Sequence, residues 1–370
     1  MVQRQVGLRS NGHIAGRAAP GPALYTARMD PFEVDFLPDG GQSAADVTER
    51  VCRFVREAER SLDVAIYDFH AREGATAAIA DALEEATGRG VAVRVAFNVE
   101  RQPSRGHVVP MAAAPEVIDG LEVPTKGIHD QGSLMHHKYI VRDAAAVWTG
   151  STNWTDDAFT REENALIRVD DPRIAAAYAE NFTQLWQHGS IERSGGAGPV
   201  VDLGKGITVQ PLFSPRGPSL AHRAAERMGA AKRRIRVASP VYTSGAVLGT
   251  LAELAGRKSF DLRGAYDATQ MLQVEGQWGD WPANHWKIEA WHALRPRLEG
   301  KTTTPYAPGA VHDYMHAKIV VADDEVVTGS YNLSHGGEEN AENVLHVVSE
   351  PIAQRFAGFV DQIADRYRAT

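Results

Sequence analysis

The chain has 370 residues, 43% of them hydrophobic, and a formal net charge of −8. Such a length and apolar content can bury one large or two medium cores, and no apolar run reaches membrane-spanning length, so a soluble globular protein is expected. Cys52 is the single cysteine, which excludes a disulfide framework and a cysteine-based metal site, and the acidic balance opposes generic attraction to nucleic-acid backbones while leaving room for a local basic groove.

Residues 1–30 are polar, and Arg4, Arg9, Arg17 and Arg28 all precede the first acid, Asp30. They lack the apolar centre of a secretory signal, so a cytoplasmic protein with an irregular N-terminal arm is expected. Phe32, Val34 and Phe36 alternate with polar residues and predict a half-buried strand. Ser43 can N-cap a helix on which Val47, Val51, Phe54, Val55 and Ala58 recur at helical spacing. A buried strand over 62–67, an Ala- and Glu-rich helix over 75–87 and a strand over 91–97 follow. This alternation implies α/β layers.

From 100 to 135 the pattern lapses into loop. The segment from His136 to Asp143 then reads as a strand, on which residues i and i+2 share a face, so His136 and Lys138 point one way and His137 the other. Metal ligation by the adjacent pair His136 and His137 is disfavoured for the same reason. A short strand over 147–149 delivers Ser151 and Asn153 into a loop suited to meeting an anion. Asp171-Pro172 opens a helix carrying Ala176, Tyr178, Phe182 and Trp186. The Gly- and Ser-rich stretch that follows places a linker at 191–206, between a first domain at 31–190 and a second at 207–370.

The second half replays the first, with strands over 209–213, 235–238 and 260–266, helices over 220–231 and 245–255, and a closing helix over 352–367. Its own feature is 268–312, read as a long loop, which holds Trp278, Trp281, Trp286 and Trp291 of the seven tryptophans in the chain. Their burial habit would pack this loop down, or they form a lid or rim for an amphipathic ligand.

The motif strand is what the chain repeats. His136-x-Lys138-x4-Asp143 followed by Gly150-Ser151-x-Asn153 returns as His316, Lys318, Asp323, Gly329, Ser330 and Asn332, with the histidines 316 − 136 = 180 residues apart. Each asparagine is followed ten positions later by a Glu-Asn pair, Glu163-Asn164 (163 − 153) and Glu342-Asn343 (342 − 332). Duplication of one supersecondary unit predicts an α/β fold of two similar α-β-α sandwich halves related by a pseudo-twofold axis, with the active site at their interface.

Two histidines, two lysines, two asparagines and two serines around one cavity suit a phosphodiester. The ammonium groups and neutral donors offset the charge of a pentacoordinate transition state. One unprotonated imidazole can attack phosphorus, and a protonated one can give its proton to the leaving alkoxide and then activate water. A carboxylate is the usual means of fixing an imidazole, and Glu163 and Glu342 are the candidates. His107, His129, His137 and His312 are read as ordinary core or surface residues.

The paired motifs resemble the HKD motifs of the phospholipase D superfamily from about Asp30 onward. The resemblance implies His136 as the nucleophile, His316 as the general acid, and Lys138, Lys318, Asn153 and Asn332 as phosphate ligands, with no metal or other cofactor required. Ser151 and Ser330 are placed with the phosphate ligands, and Asp143 and Asp323 as structural support. The expected activity is hydrolysis or transfer of a phosphodiester, first of a glycerophospholipid. A nuclease using a groove that starts near Arg101 and Arg105, and a silent phosphate-binding scaffold, are the alternatives. Stable membrane insertion is not expected, and a monomer suffices for an intact site.

Overall fold

The computed structural model describes residues 26–99, 118, 120–129, 132–307 and 309–368. The first half runs β1 (Thr26–Met29), β2 (Phe32–Leu37), α1 (Ala44–Arg56), β3 (Ser61–Ile66), α2 (Ala77–Gly88), β4 (Ala92–Asn98), β5 (Thr125–Ile128), β6 (Lys138–Arg142), β7 (Ala146–Gly150), α3 (Asp156–Thr160), β8 (Asn164–Val169) and α4 (Pro172–His188). The second runs β9 (Gly196–Ala197), β10 (Val201–Gly204), β11 (Ile207–Phe213), α5 (Leu220–Ala230), β12 (Arg234–Ser239), α6 (Gly245–Gly256), β13 (Asp261–Asp267), α7 (Ala268–Gly279), α8 (His285–Leu294), β14 (Leu298–Lys301), β15 (Ile319–Ala322), β16 (Glu325–Gly329), β17 (Asn343–Val348) and α9 (Glu350–Tyr367).

Local chemistry explains the main elements. Ser43 caps α1 through a reciprocal bond with Asp46, and Val47, Val51, Phe54 and Val55 form its buried face. Asp171 accepts the first amides of α4, Pro172 opens it, and Gly189 in the left-handed region ends it.

The strands form two sheets of matching order, β1-β2-β8-β7-β6-β3-β4-β5 and β10-β11-β17-β16-β15-β12-β13-β14, with β9 added beside β11. Each motif strand, β6 or β15, lies in mid-sheet between an antiparallel partner of its own hairpin and the strand β3 or β12. One apolar cluster under α1 and α2 covers the outer face of the first sheet, and a second under α5, α6 and α8 covers that of the second. A third cluster, with α4 and α9, lies between the sheets and is shared by both halves. The arrangement is the expected pair of α/β sandwich halves, joined through a common core.

Four segments differ from the sequence reading. Residues 191–206, read as linker, carry a turn at Ile191–Arg193 and strands β9 and β10, both hydrogen-bonded to β11. Strand β1 starts before the boundary set at residue 31 and pairs with β2. The tryptophan segment is two helices, α7 and α8, with Trp278 and Trp291 buried and Trp281 and Trp286 exposed. The loop expected over 100–135 contains β5, which pairs parallel to β4. Arg4, Arg9, Arg17, Arg101, Arg105 and His107 lie outside the described residues. Among the described residues, no helix is long and apolar enough to cross a membrane.

Candidate active site

His136 stands just before β6, where its backbone N–H bonds to Ala341 O of the other half at 2.9 Å. Its ring nitrogen Nδ1 is 2.9 Å from both carboxylate oxygens of Glu342, also in the other half. His316 is held in the same crosswise manner. Its Nδ1 lies 3.0 Å from Asn164 Oδ1 and 3.2 Å from Glu162 Oε2. Each histidine is thus oriented by the half that does not carry it, leaving Nε2 for a substrate. Both rings line one cavity of about 510 Å³, with Asn153, Asn332, Glu162, Asp68, Tyr67, Tyr306, His312 and Tyr314 in its wall.

The two glycines of the motifs explain how the strands approach so closely. Gly150 and Gly329 have φ of 152° and 157°, and a Cβ on either would lie 2.0 or 2.1 Å from a carbonyl oxygen of the next strand. No side chain fits there. The chain then turns, and Ser151 and Ser330 are buried behind the histidines' partners rather than in the cavity wall. Ser151 Oγ donates to Asn164 Oδ1 at 2.7 Å, and Ser330 Oγ donates to Glu342. The serines expected on phosphate therefore brace the acceptors that fix the imidazoles. Asn153 and Asn332 do reach the cavity, and their Oδ1 atoms have no hydrogen-bond partner.

Lys138 and Lys318 are both buried, and each Nζ donates to the carbonyl of its own motif histidine, at 2.8 and 2.6 Å. Burial pushes Lys138 down to about 7 and Lys318 well below the usual lysine range. The histidines respond to the same environment. Burial drives His136 to about 4, with Glu342 pulling upward and Lys138 and Lys318 pushing further down. Burial, Lys318 and Lys138 hold His316 well below its ordinary value. Such a cavity holds more cationic potential than it can express until an anion enters. Burial also lifts the Glu162 carboxyl to about 8, so at neutrality the carboxyl beside His316 is mostly uncharged.

Glu163, expected at a histidine, is at neither. Its carboxylate is bound by Lys301 Nζ at 3.0 Å and by the Tyr367 hydroxyl. The reason is register. Gly150 pairs with Leu166 and Gly329 with Val344, so the residues two positions earlier, Asn164 and Glu342, are the structural equivalents. The first half has one more residue in this loop, and the matching Glu-Asn pairs are offset by one position in space. Asp143 and Asp323 sit at the far ends of the motif strands with φ of 54° and 55°. Each carboxylate accepts three backbone N–H groups, from Glu59, Arg60 and Ser61 or from Lys232, Arg233 and Arg234, which outweighs partial burial and lowers its pKa. His137 packs into the shared core beside Tyr139 and Phe213, with Nδ1 3.1 Å from Asn343. Sequence reasoning missed Glu162, Asn164, Asp68, Tyr67, Tyr306, His312 and Tyr314 in or beside the cavity. The Asp-to-Gly spacing of seven residues in the first copy and six in the second belongs to the preceding hairpin and gave no sign of the offset between the Glu-Asn pairs.

The comparisons with known proteins agree with this architecture. A family model described as "Cardiolipin synthase, PLD-like domain" matches twice, over residues 51–186 and 225–364. A mitochondrial cardiolipin hydrolase of Xenopus tropicalis is 36% identical over 141 residues, 37% of this chain and 60% of that protein. A phospholipase D of Rickettsia conorii is 29% identical over 141 residues, 37% of this chain and 63% of its own length. The chain thus spans about three fifths of the curated relatives it matches. The crystal structure of a phosphatidylserine synthase from Haemophilus influenzae superposes with a TM-score of 0.60 over 90% of this chain and 86% of its own, at 15% identity, which is a likeness of fold. With the family model matched in both halves, the chain belongs to the phospholipase D-like family, as a single polypeptide carrying two copies of its domain.

Proposed function

We propose that the protein is a metal-independent phosphodiesterase or phosphatidyltransferase of the phospholipase D type, acting on glycerophospholipids through a covalent phosphohistidine. The observation that carries the reading is the convergence of His136 and His316, each fixed at Nδ1 by the opposite half, on one cavity backed by two buried lysines. Lys138, Lys318, Asn153 and Asn332 receive the phosphate oxygens. Arrival of the diester anion restores the protons that burial and lysine repulsion remove, so one imidazole can enter the reaction charged.

His136 Nε2 attacks phosphorus while its Nδ1–H stays on Glu342, which stabilises the positive charge the ring gains. The P–O bond to the leaving alcohol breaks, and His316 Nε2 gives its proton to that oxygen. Neutral His316 then takes a proton from water or an acceptor alcohol, whose oxygen attacks phosphorus and breaks the P–N bond. His136 leaves as it began, and the net reaction is hydrolysis or transfer. The carboxylate on His136 and the amide oxygen on His316 favour these roles, because the ring that carries charge through the intermediate has the anionic partner.

Lipid is favoured as substrate by the names of the relatives, a cardiolipin hydrolase and a phospholipase D, and by the cavity wall, where Leu134, Pro240, Pro305, Tyr306 and Tyr314 give apolar surface. The test is turnover in EDTA of phosphatidylglycerol or cardiolipin vesicles beside single- and double-stranded DNA, with wild type and His136→Ala. Lipid cleavage that survives chelation and is lost in the variant is expected. DNA cleavage with that dependence, or activity indifferent to His136, contradicts the reading.

A further inference from the structure

Glu162 reaches His316 from a segment that has no secondary structure of its own, between α3 and β8. The corresponding segment of the second half is fastened directly to the facing motif. Ala341 N bonds to Leu134 O and His136 N to Ala341 O, both at 2.9 Å, a short bridge centred on Met135 and Ala341. By register, the equivalent of that bridge would join Met315 to Glu163, and the described residues contain none.

A buried lysine takes its place. Lys301, at the end of β14, is 4% exposed, and its Nζ donates to Arg161 O at 2.8 Å and to Glu163 Oε2 at 3.0 Å, with Asp39 Oδ2 at 3.3 Å. It therefore grips the residue before Glu162 and the residue after it. Tyr367, from α9, closes on the other oxygen of Glu163. With Arg161 and Glu163 both held by Lys301, Glu162 between them is left facing the cavity, whose wall it lines. A lysine and a glutamate this deeply buried would cost stability if either stood alone, and their pairing leaves a rigid peg where the backbone bridge is absent.

We propose that Lys301 and Glu163 are positioning residues that hold Glu162, and through it His316, in the geometry for proton donation to the leaving group. The inference rests on the reading of His316 as that donor. Neither residue touches substrate. Their effect appears only where His316 moves a proton, in leaving-group departure and in activation of the second nucleophile.

The test compares wild type, Lys301→Met and Glu163→Gln on two diesters, a phospholipid whose alkoxide needs protonation and bis(p-nitrophenyl) phosphate, whose phenolate leaves without it. Loss of such a supporting contact is expected to slow the first step, read as pre-steady-state release of the leaving group, about 10- to 100-fold for the phospholipid and less than about threefold for the aryl diester, whose p-nitrophenolate burst persists. Equal losses on both substrates would mean a merely structural role and overturn the proposal. Glu163→Gln keeps the side-chain shape, so it serves if Lys301→Met fails to fold. Histidine NMR of the same variants reads the proposal without turnover: the His316 ring signals should shift while those of His136 stay, and unchanged His316 signals would overturn it. If wild type cleaved neither diester, the functional reading would fail, and the NMR result would still decide whether Lys301 governs His316.

Discussion

The two halves share strand order, motif and core, yet they hold their histidines differently. His136 has a carboxylate on Nδ1, Glu342, with Ser330 and Asn340 bonded to it. His316 has the amide oxygen of Asn164, with Ser151 behind it and Glu162 alongside. The comparison shows how a duplicated unit acquires two roles: the frame stays symmetric, and a one-residue change in loop length places a different acceptor at the same position. A charged acceptor suits an imidazole that becomes cationic on phosphorus, while a neutral one leaves the opposite imidazole readier to release its proton.

Removing the asymmetry gives the largest expected effect. Glu342→Gln should lower turnover about 10²- to 10⁴-fold on alkyl and aryl diesters alike, because formation of the phosphohistidine suffers whatever the leaving group. Asn164→Ala should spare the aryl diester by comparison. Pre-steady-state rates of leaving-group release on both substrates check the contrast, and equal sensitivity of the two variants to the leaving group would break it.

Acid should act next, through stability. A histidine whose folded pKa is depressed favours the folded state above its unfolded value and loses that contribution as pH falls. For His136 the window runs from 6.5 down to about 4, and the loss is on the order of 3 kcal/mol. His137, driven by burial to about 3, adds to the same limb. Urea unfolding at pH 7 and pH 4.5 should show the fall, and His136→Asn should flatten part of it.

The smallest effect concerns the cradle. Sulfate keeps its charge across neutrality, so its affinity reports the groups of the cavity, Lys138 first and Glu162 above about 8. With Lys138 near 7, binding should be nearly flat below that pH and weaken about tenfold for each unit above it. Calorimetric titration between pH 6 and pH 9 measures the slope, and a flat profile would mean that the lysine stays charged in the empty cavity.

Much of this was legible in the sequence because it is periodic or repeated. Alternation gave β2, helical spacing and Ser43 gave α1, and the doubled motif gave the halves, the interface site and both histidines. What stayed hidden depended on register and on tertiary partners. Counting ten residues from Asn153 and from Asn332 lands on Glu163 and Glu342, but hairpin pairing, not counting, decides which residue faces a histidine. Ser151 and Ser330 looked like anion ligands because the backbone turn that buries them is set by Gly150 and Gly329 pressing on the neighbouring strand. Lys301 lies in no motif and matters only through where β14 ends.

The central claim is that His136 carries the phosphoryl group and His316 moves the protons. In His316→Asn, an aryl diester can still phosphorylate His136, while the second step lacks its base. Incubation of that variant with bis(p-nitrophenyl) phosphate, followed by peptide mass spectrometry at neutral to alkaline pH, should find a burst of one p-nitrophenolate per chain and a p-nitrophenylphosphoryl group on His136. A label elsewhere, or burst-free turnover with no histidine adduct, would contradict the account.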